Sequence, residues 1–257
     1  MIILQNNKFV KKALVDANGP FGRGEGIFET LRTHNKHPSL LELHLNRLFN
    51  SAKKINLKIE YDEKEIEKMI KKVTKKSPHK TQRVKIIATS SDLIITSIEA
   101  KIDKKIYSGV SIKSINLQRN MPEIKSLSYL PSFLAHENAL KEGFFDALLV
   151  DDSTDVYEGA YSNIFWFEGD ILYTRKDKVL PGTIRETIFK NTKFKIKFKT
   201  IKLKDIKKQK EIFLTQSVNL VVPVIKIDQT VINKGRVGVN TKEIIEEVNL
   251  LLFSSSL

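Results

Sequence analysis

The chain of 257 residues contains no cysteine. It therefore cannot form disulfides, cysteine-ligated zinc sites or iron–sulfur clusters, and it has no thiol nucleophile. It also lacks any run of about 18 uncharged apolar residues, which a membrane-spanning helix would need. The first twelve residues place their apolar side chains before the lysines and contain no small-residue cleavage site, so we expect no signal peptide. These absences predict a cytoplasmic protein with no membrane partner and no metal site.

Negative charge is also scarce. Lysine and arginine together number 44 against 30 aspartate and glutamate, which gives a formal net charge of +14. Such an excess is typical of nucleic-acid-binding proteins. Here the basic residues are spread along the chain as lysine pairs beside isoleucine and glutamate, without arginine-rich tracts or interleaved aromatics. We therefore favour a solvated lysine surface and expect no nucleic-acid partner.

The hydrophobic content of 41% is enough for one large domain or two small ones. Over the first hundred residues the apolar pattern predicts an N-terminal strand pair, a strand over 27–33, a helix opening at Ser39 or Leu40, an amphipathic helix over 62–76 and a hairpin over 83–102. This order of elements indicates a small α+β domain over 1–104, followed by a polar linker over 105–109.

The second half, residues 110–257, reads as a larger α/β domain. A strand, a helix from Pro131 to its stop at Gly143, and the buried strand DALLVDD come first. The stretch VYEGAYSNIFWFEGDILYT predicts two strands joined by an EGD turn. The motif LPGT then opens a helix whose N-terminal N–H groups suit an anion. The C-terminal helix is predicted from Thr241, as its N-cap, to about Phe253.

Three glycines, Gly22, Gly24 and Gly26, precede the strand that begins at Ile27. The dinucleotide-binding fingerprint requires its glycines after a strand and at the start of a helix, so this triplet does not match it. We expect instead that the glycines let the backbone pass close to another element.

An amine and a carboxylate stand on either side of the helix and strand that open the second half. Lys125 comes just before the helix, and Glu158 follows 33 residues later at the end of a strand. A fold that brought both to one small molecule could use Lys125 to carry an aldehyde cofactor and Glu158 to tune it. The competing interpretation is an ordinary surface lysine, which is the commoner case in so basic a chain.

A series of six motifs favours the cofactor-binding interpretation of Lys125 over the surface-lysine interpretation. In order, they are FGRGEGIFETLR, HLNRL, KSLSYL, VYEGAYSNIFW, LPGTIR and TQSVNLVVPV. Over nearly the whole chain they resemble the successive motifs of the class IV aminotransferases, the fold-type IV family of pyridoxal-phosphate enzymes. That family includes branched-chain aminotransferases, D-amino-acid aminotransferases and aminodeoxychorismate lyases. The resemblance implies a two-domain α/β fold with its site at the domain interface, a pyridoxal 5'-phosphate cofactor and a homodimer.

The resemblance also implies roles for particular residues. Lys125 matches the lysine that forms the Schiff base and moves the proton, and Glu158 matches the carboxylate that pairs with the pyridine nitrogen. Tyr129 matches the hydroxyl near the phenolic oxygen, and Arg47 the phosphate-binding arginine. The phosphate cup would be completed by Thr183, Ile184 and Thr215, with Gln216 or Ser217. Ser162 and Asn163 would support Glu158, whereas His44 and His136 are interpreted as packing residues.

The chain departs from the family pattern at several positions. Arg23 stands where the family usually has aspartate, and Ser128 stands where asparagine is common. Phe28 stands where the D-specific enzymes carry tyrosine. The arginine–histidine loop that binds the substrate carboxylate in those enzymes has no counterpart in ATSSDLIITS. We therefore expect Arg23 and Arg32 to bind the substrate carboxylate, with Phe28 beside them, across a dimer interface.

The expected function is a ping-pong transamination between an amino acid and a 2-oxo acid, of the branched-chain or D-amino-acid type. The alternative is an aminodeoxychorismate lyase that releases pyruvate, since TQSVNLVVPV is close to the lyase form of that segment. A non-catalytic basic binding protein on the same fold is the alternative from a different functional class.

Overall fold

A computed structural model of the chain describes residues 1–253. Two compact units share these residues. The first comprises Met1–Lys101 together with Ile124–Ser128, and the second comprises Ile102–Glu123 and the chain from Tyr129 onward. Among the described helices, none is long and apolar enough to cross a membrane.

The first unit contains a six-stranded antiparallel sheet in the order β2-β1-β6-β5-β3-β4. Two helices pack on one face of this sheet and enclose an aliphatic core. The elements are β1 (Ile2–Gln5), β2 (Lys8–Val10), β3 (Ile27–His34), β4 (His37–Pro38), α1 (Leu41–Lys54), α2 (Glu63–Lys76), β5 (Gln82–Ala88) and β6 (Leu93–Glu99).

Local sequence explains where these elements begin. α2 starts at a capping box, in which the Asp62 side chain accepts a hydrogen bond from the Glu65 N–H and the Glu65 side chain accepts one from the Asp62 N–H. β3 alternates, so that Ile27, Glu29 and Leu31 point into the helix-covered core. The predicted N-terminal strand pair, both helices and the hairpin of β5 and β6 are confirmed.

The second unit is built on a nine-stranded mixed sheet. Its main order is β12-β11-β10-β13-β14-β7-β8-β9, and β15 pairs with β14. The strands are β7 (Val110–Asn116), β8 (Asp146–Val150), β9 (Val156–Gly159), β10 (Asn163–Glu168), β11 (Ile171–Thr174), β12 (Lys195–Phe198), β13 (Glu211–Gln216), β14 (Leu220–Ile227) and β15 (Thr230–Val231).

Four helices accompany this sheet within the described part of the chain: α3 (Leu130–Lys141), α4 (Thr183–Asn191), α5 (Leu203–Ile206) and α6 (Val239–Phe253). Short 3-10 turns cover Lys104–Ser108 and Asn233–Gly235. α3 packs through Ala135 and Ala139 against β8, while its larger residues Leu130, Phe133, Leu134 and Leu140 remain 64%, 44%, 49% and 44% exposed.

Two predictions in this unit are wrong. The stretch 156–174 forms three strands rather than two, because the chain turns after β9 where the Gly159 N–H donates to the Ser162 carbonyl (2.7 Å). Thr241 is not an N-cap, since α6 begins at Val239. The N–H and hydroxyl of Thr241 donate instead to the Glu211 carboxylate, at 2.8 and 2.9 Å.

Candidate active site

Lys125 lies on a short extended segment that is joined to the edge of the first unit's β3. The Phe28 N–H donates to the Lys125 carbonyl (2.8 Å), and the Leu127 N–H donates to the Gly26 carbonyl (2.9 Å). Ile27 and Ser126 form an antiparallel bridge between these two bonds. The backbone from the Lys125 carbonyl to Leu127 is therefore fixed, and the Lys125 Nζ lies 4.4 Å from the centroid of the Phe28 ring.

Gly26 makes this close approach possible. A Cβ at this position would lie 2.8 Å from the Ala88 carbonyl oxygen and 2.8 Å from Leu127 Cδ1. Both distances are shorter than side chains tolerate, so only glycine lets the Lys125 segment lie against β3. The expectation of a close backbone approach is confirmed here.

Arg47, on the inner face of α1, takes part in a buried ion cluster. Its Nε donates to Glu29 Oε1 (2.7 Å) and its Nη2 donates to Glu29 Oε2 (2.6 Å). His44 Nδ1 lies 2.7 Å from the same Oε2. All three side chains are at least nine-tenths buried. Arg47 is thus held in one orientation by a two-pronged contact, which is the strongest geometry for this pair.

Electrostatics fix the charges in this cluster. Burial acts to raise the pKa of Glu29, but the charge of Arg47 and the hydrogen bonds from Arg47 and His44 outweigh it and lower the pKa to about 2. Burial lowers the pKa of His44, aided by the nearby charges of Arg47 and Lys125 and opposed by Glu29. We infer that His44 is a neutral imidazole that donates its Nδ1–H to the ionised Glu29.

The other face of β3 carries cations. Arg32 lies directly opposite Arg83 on β5, and the next pair on that face is Thr30 with Lys85. The Lys85 Nζ lies 4.9 Å from the Phe28 ring centroid, so two lysine amines contact one aromatic ring. Burial, with the nearby charge of Arg83, lowers the pKa of Lys85. Arg23 is mostly exposed and pairs with Glu25 (3.0 Å) outside this cluster.

Glu158, on β9 of the second unit, is 2% exposed and accepts hydrogen bonds at both oxygens. Arg119 Nη1 donates to Oε1 (2.7 Å), while the Leu180 N–H (2.9 Å) and Asn163 Nδ2 (3.0 Å) donate to Oε2. Asn163 Nδ2 also donates to the Leu180 carbonyl (2.8 Å), which closes a ring. This donor set suits an ionised carboxylate, because a carboxylate accepts and does not donate.

Tyr129 contacts residues that neighbour the Glu158 carboxylate. Its hydroxyl donates to the Ala160 carbonyl (2.8 Å), two residues beyond Glu158, and the Arg119 guanidinium lies 5.9 Å from its ring centroid. Burial raises the pKa of Tyr129 far above its usual value, against the opposing charge of Arg119. The hydroxyl therefore stays protonated at any physiological pH.

Ser162 and His136 meet at a second buried carboxylate. Asp146 is 1% exposed, accepts a hydrogen bond from Ser162 Oγ (2.7 Å) and lies 3.0 Å from His136 Nδ1. The His136 ring stacks on Tyr161, with centroids 4.0 Å apart. These contacts fix the turn between Glu158 and Asn163.

An anion cradle forms at the start of α4. Gly182 is its N-cap and has no side chain to accept from the first-turn N–H groups, which leaves them suited to an anion. Thr183 Oγ1 lies 3.2 Å from Ser217 Oγ, which brings the loop after β13 beside this helix end. Ile184 is 2% exposed, so its apolar side chain packs inward and its backbone N–H is the group that suits a ligand. Gln216 ends β13 in the same loop.

One buried hydroxyl in this region lacks a partner. Within residues 1–253, Thr215 Oγ1 is buried and has no hydrogen bond. A buried polar atom without a partner costs free energy, so its presence points to a ligand that completes it. Together with the helix N-terminus and the two further hydroxyls, it makes a donor set that fits a phosphate.

Comparison with known proteins now decides the family. The family model described as "Amino-transferase class IV" matches residues 26–227, which is most of the chain. This chain belongs to the class IV aminotransferases. Its Lys125, Glu158 and Thr215 all fall inside the matched range.

Individual class IV relatives differ in activity. The chain is 27% identical over 258 residues to a D-alanine aminotransferase of Staphylococcus aureus (strain N315), covering 91% of this chain and 90% of the relative. It is 26% identical over 230 residues to the aminodeoxychorismate lyase of Bacillus subtilis (strain 168), covering 80% and 78%. The fold matches the branched-chain aminotransferase of Thermoproteus uzoniensis solved with norvaline, at a TM-score of 0.90 and 24% identity, covering 100% and 96%. The expected fold-type IV architecture is confirmed.

Each unit assembles part of the predicted residue set. The first gathers Phe28, Arg32, Arg47 and Lys125, and the second gathers Tyr129, Glu158, Thr183 and Thr215. Sequence reasoning missed Glu29, Lys85 and Arg119. For Glu29 a signal existed, because it is a carboxylate at an inward position of an alternating strand and must find a cation. Nothing local marked Arg119.

Proposed function

We propose that this class IV aminotransferase is a transaminase that uses pyridoxal 5'-phosphate to move an amino group between an amino acid and a 2-oxo acid. The observation that carries the proposal is the double backbone attachment of the Lys125 segment to β3, made possible by Gly26. A surface lysine needs no such attachment. An amine that must meet a cofactor aldehyde does, because the reaction depends on its position.

In this proposal the site residues expected from the family resemblance would serve the cofactor. Lys125 would bind the aldehyde covalently and would carry the proton between substrate and cofactor. Arg47, whose Nε and Nη2 donate to Glu29, would add a positive charge for the phosphate, and Thr183, Ile184, Thr215 and Gln216 would complete its binding. Glu158 would pair with the pyridine nitrogen, and Tyr129 would lie near the phenolic oxygen. When bound, pyridoxal phosphate supplies the electron sink that makes the substrate Cα–H acidic.

The test is covalent capture at Lys125. The purified protein is incubated with pyridoxal phosphate, reduced with borohydride and digested, and the modified peptide is identified by mass spectrometry. The expected result is one cofactor on Lys125 and loss of the visible imine absorption. Lys125→Ala should lose both signals, while Lys141→Ala, a surface change on α3, should retain them. Equal labelling of wild type and Lys125→Ala would reject the proposal in favour of a basic binding protein.

We propose that the substrate carboxylate binds to the cationic face of β3. Arg32 is the principal candidate because it shares this face with Phe28, and Arg83 and Lys85 flank it on β5. Arg23 is the second candidate, although its pairing with Glu25 must first be released. Arg32→Gln or Arg23→Gln should raise KM for the amino acid at least about tenfold, because the substrate carboxylate would lose one charge-assisted hydrogen bond. Unchanged KM in both variants would exclude this face.

The lyase is the second candidate function, favoured by the similarity to the Bacillus subtilis enzyme over 80% of this chain. A half-reaction experiment with amino acids distinguishes the transaminase from the lyase. For a transaminase, L-Leu, L-Glu or D-Ala should convert the bound cofactor to its amine form and release a stoichiometric 2-oxo acid. For a lyase, amino acids leave the cofactor unchanged and aminodeoxychorismate releases pyruvate.

The proposal includes a homodimer. The apolar face of α3, formed by Leu130, Phe133, Leu134 and Leu140, supports it, because large apolar residues adjacent on one helix are typical of interfaces. Amino acids and 2-oxo acids are the proposed small-molecule partners.

A further inference from the structure

The contact between Arg119 and Glu158 has no role in the function proposed above. Arg119 lies on the loop after β7, and its side chain is only 10% exposed. Its Nη1 donates to Glu158 Oε1 at 2.7 Å, which is a short, charge-assisted hydrogen bond. The Glu158 side chain is 3% exposed. The pair is therefore largely withdrawn from water, where a neighbouring charge acts strongly.

Orientation alone does not require this arginine. Asn163 Nδ2 and the Leu180 N–H already bind Glu158 Oε2, and the Asn163–Leu180 bond locks both donors in place. Neutral donors thus set the direction of the carboxylate. Arg119 adds a full positive charge beside the other carboxylate oxygen, Oε1. A cation at this distance favours the ionised form of a carboxylate and makes it a poorer base.

We propose that Arg119 keeps the proton of the cofactor–carboxylate pair on the pyridine nitrogen, by lowering the proton affinity of Glu158. This inference rests on the proposed function, in which Glu158 faces that nitrogen. With the cofactor bound, a single proton would lie between the ring nitrogen and a Glu158 oxygen, and no other bond would change. Next to Arg119 the proton stays on nitrogen and the ring carries the positive charge. Without Arg119 the buried carboxylate takes the proton, and the ring becomes neutral.

Other charged or titratable groups of the second unit face this carboxylate less closely. Arg185 on α4 contributes a longer-range positive charge, and it is held by the Arg175 carbonyl (2.7 Å) rather than by Glu158. Tyr129 remains a protonated hydroxyl bonded to Ala160. Arg119 is thus a cation in direct hydrogen-bond contact with Glu158, and it is a positioning residue for the proton rather than a catalytic one.

The test is nitrogen-15 NMR of the holoenzyme loaded with pyridoxal phosphate labelled at the pyridine nitrogen. Wild type should show a pyridinium signal, and Arg119→Gln should move toward the neutral-pyridine position. Arg119→Lys, which restores a cation, should move back toward wild type. A neighbouring cation shifts the proton equilibrium of a carboxylate roughly 10- to 1000-fold. The kcat of Arg119→Gln should therefore fall at least about tenfold, while its KM should change less than about twofold.

A matched control separates electrostatics from loss of packing. Arg175 is a buried arginine of the same unit, with its guanidinium 3.8 Å from the Tyr157 ring centroid and its Nη1 donating to the Val156 carbonyl (3.2 Å). Arg175→Gln should keep the pyridinium signal even if thermal stability falls. Arg119→Met provides a second charge-free variant if Arg119→Gln does not fold.

The outcomes distinguish this inference from the proposed function. A wild-type protein that does not bind the cofactor covalently at Lys125 would overturn both. A neutral ring in the wild type, or a pyridinium signal that persists in Arg119→Gln and Arg119→Met, would overturn only the role of Arg119.

Discussion

The Glu29 carboxylate fixes the positions of two neighbouring side chains, Arg47 and His44. It accepts hydrogen bonds from Arg47 and His44 within the first unit's core, while Phe28, its neighbour on the opposite face of β3, contacts Lys125. The alternation of the strand thus couples a buried ion cluster to the position of the amine. Removing one partner of a buried ion pair is more costly than replacing both, because the remaining charge has no counter-charge.

Glu29→Gln should therefore destabilise the protein by about 3 to 5 kcal/mol at pH 7, because Arg47 is left buried without its carboxylate counter-ion. Chemical denaturation of wild type and variant measures this difference. His44→Gln is the control, since its amide can still donate to Glu29 and the ion pair with Arg47 survives.

The same cluster predicts a pH dependence. The pKa of Glu29 is lowered from 4.5 to about 2 on folding, so its ionised form stabilises the protein at pH values above 4.5. This contribution, about 3 kcal/mol, is lost as the pH falls from 4.5 towards 2. The stability difference between wild type and Glu29→Gln should shrink over that interval. A difference that is constant from pH 7 to pH 3 would contradict the assignment.

At the scale of residues, sequence patterns identified the chemically important side chains better than their partners. Motif order singled out Arg47 and Glu158 but not Glu29 and Arg119, which bind them. The reason is physical: Glu29 and Arg47 are 18 positions apart and Arg119 and Glu158 are 39 apart, so no local periodicity relates them. Only the folded sheet brings such pairs together.

At the scale of elements, α1 begins with an unusual residue. Leu40, its N-cap, has a left-handed backbone (φ 54°) and makes no side-chain cap. Leucine is strained in this conformation by roughly 1 to 2 kcal/mol, whereas asparagine tolerates it. Leu40→Asn should raise the unfolding free energy by about 1 kcal/mol, measured by denaturant titration. A lower value than wild type would mean that the apolar contacts of Leu40 outweigh its strain.

The attachment of the Lys125 segment to β3 can be tested through Gly26. Gly26→Ala should displace this segment, since the new Cβ would lie 2.8 Å from both the Ala88 oxygen and Leu127 Cδ1. The expected result is at least about tenfold weaker cofactor binding, because a small displacement of a reacting group is costly. Gly169→Ala, in the turn between β10 and β11, is the control. It meets no atom within 4 Å but has a φ of +60°, so it should lower stability without changing cofactor affinity.

Most elements could be predicted from periodicity, and the failures share a cause. The break after β9 coincides with a bond between Gly159 and Ser162, and Thr241, which lies inside α6, donates to Glu211, 30 positions earlier. In both cases a specific hydrogen bond accompanies a boundary that the apolar pattern does not predict.

At the scale of the whole molecule, the lysine excess has a structural use at one edge. β12 is the outermost strand of the larger sheet, and Lys195 and Lys197 alternate along it as exposed residues. Charged lysines on an edge strand oppose pairing with a strand of another molecule. Part of the net charge therefore protects the sheet from aggregation.

Association is expected to use α3 instead. Leu134→Glu should convert the proposed homodimer into a monomer, because it places a charge among Leu130, Phe133 and Leu140. Light scattering coupled to size-exclusion chromatography measures the mass. Lys190→Glu, at an exposed position of α4, serves as a control that also introduces a glutamate but lies outside this face. A dimer that persists in Leu134→Glu would place the interface elsewhere.

Residues 124–128 belong to the first unit, and two of the backbone amides at this attachment can report on the position of Lys125. The amide protons of Phe28 and Leu127 are donated across the two strands that hold this lysine. Their exchange with deuterium therefore measures how often the Lys125 segment detaches, even when the rest of the fold stays closed. Ligands that act at Lys125 should slow these two amides selectively, which makes detachment of the lysine observable without any assay of turnover.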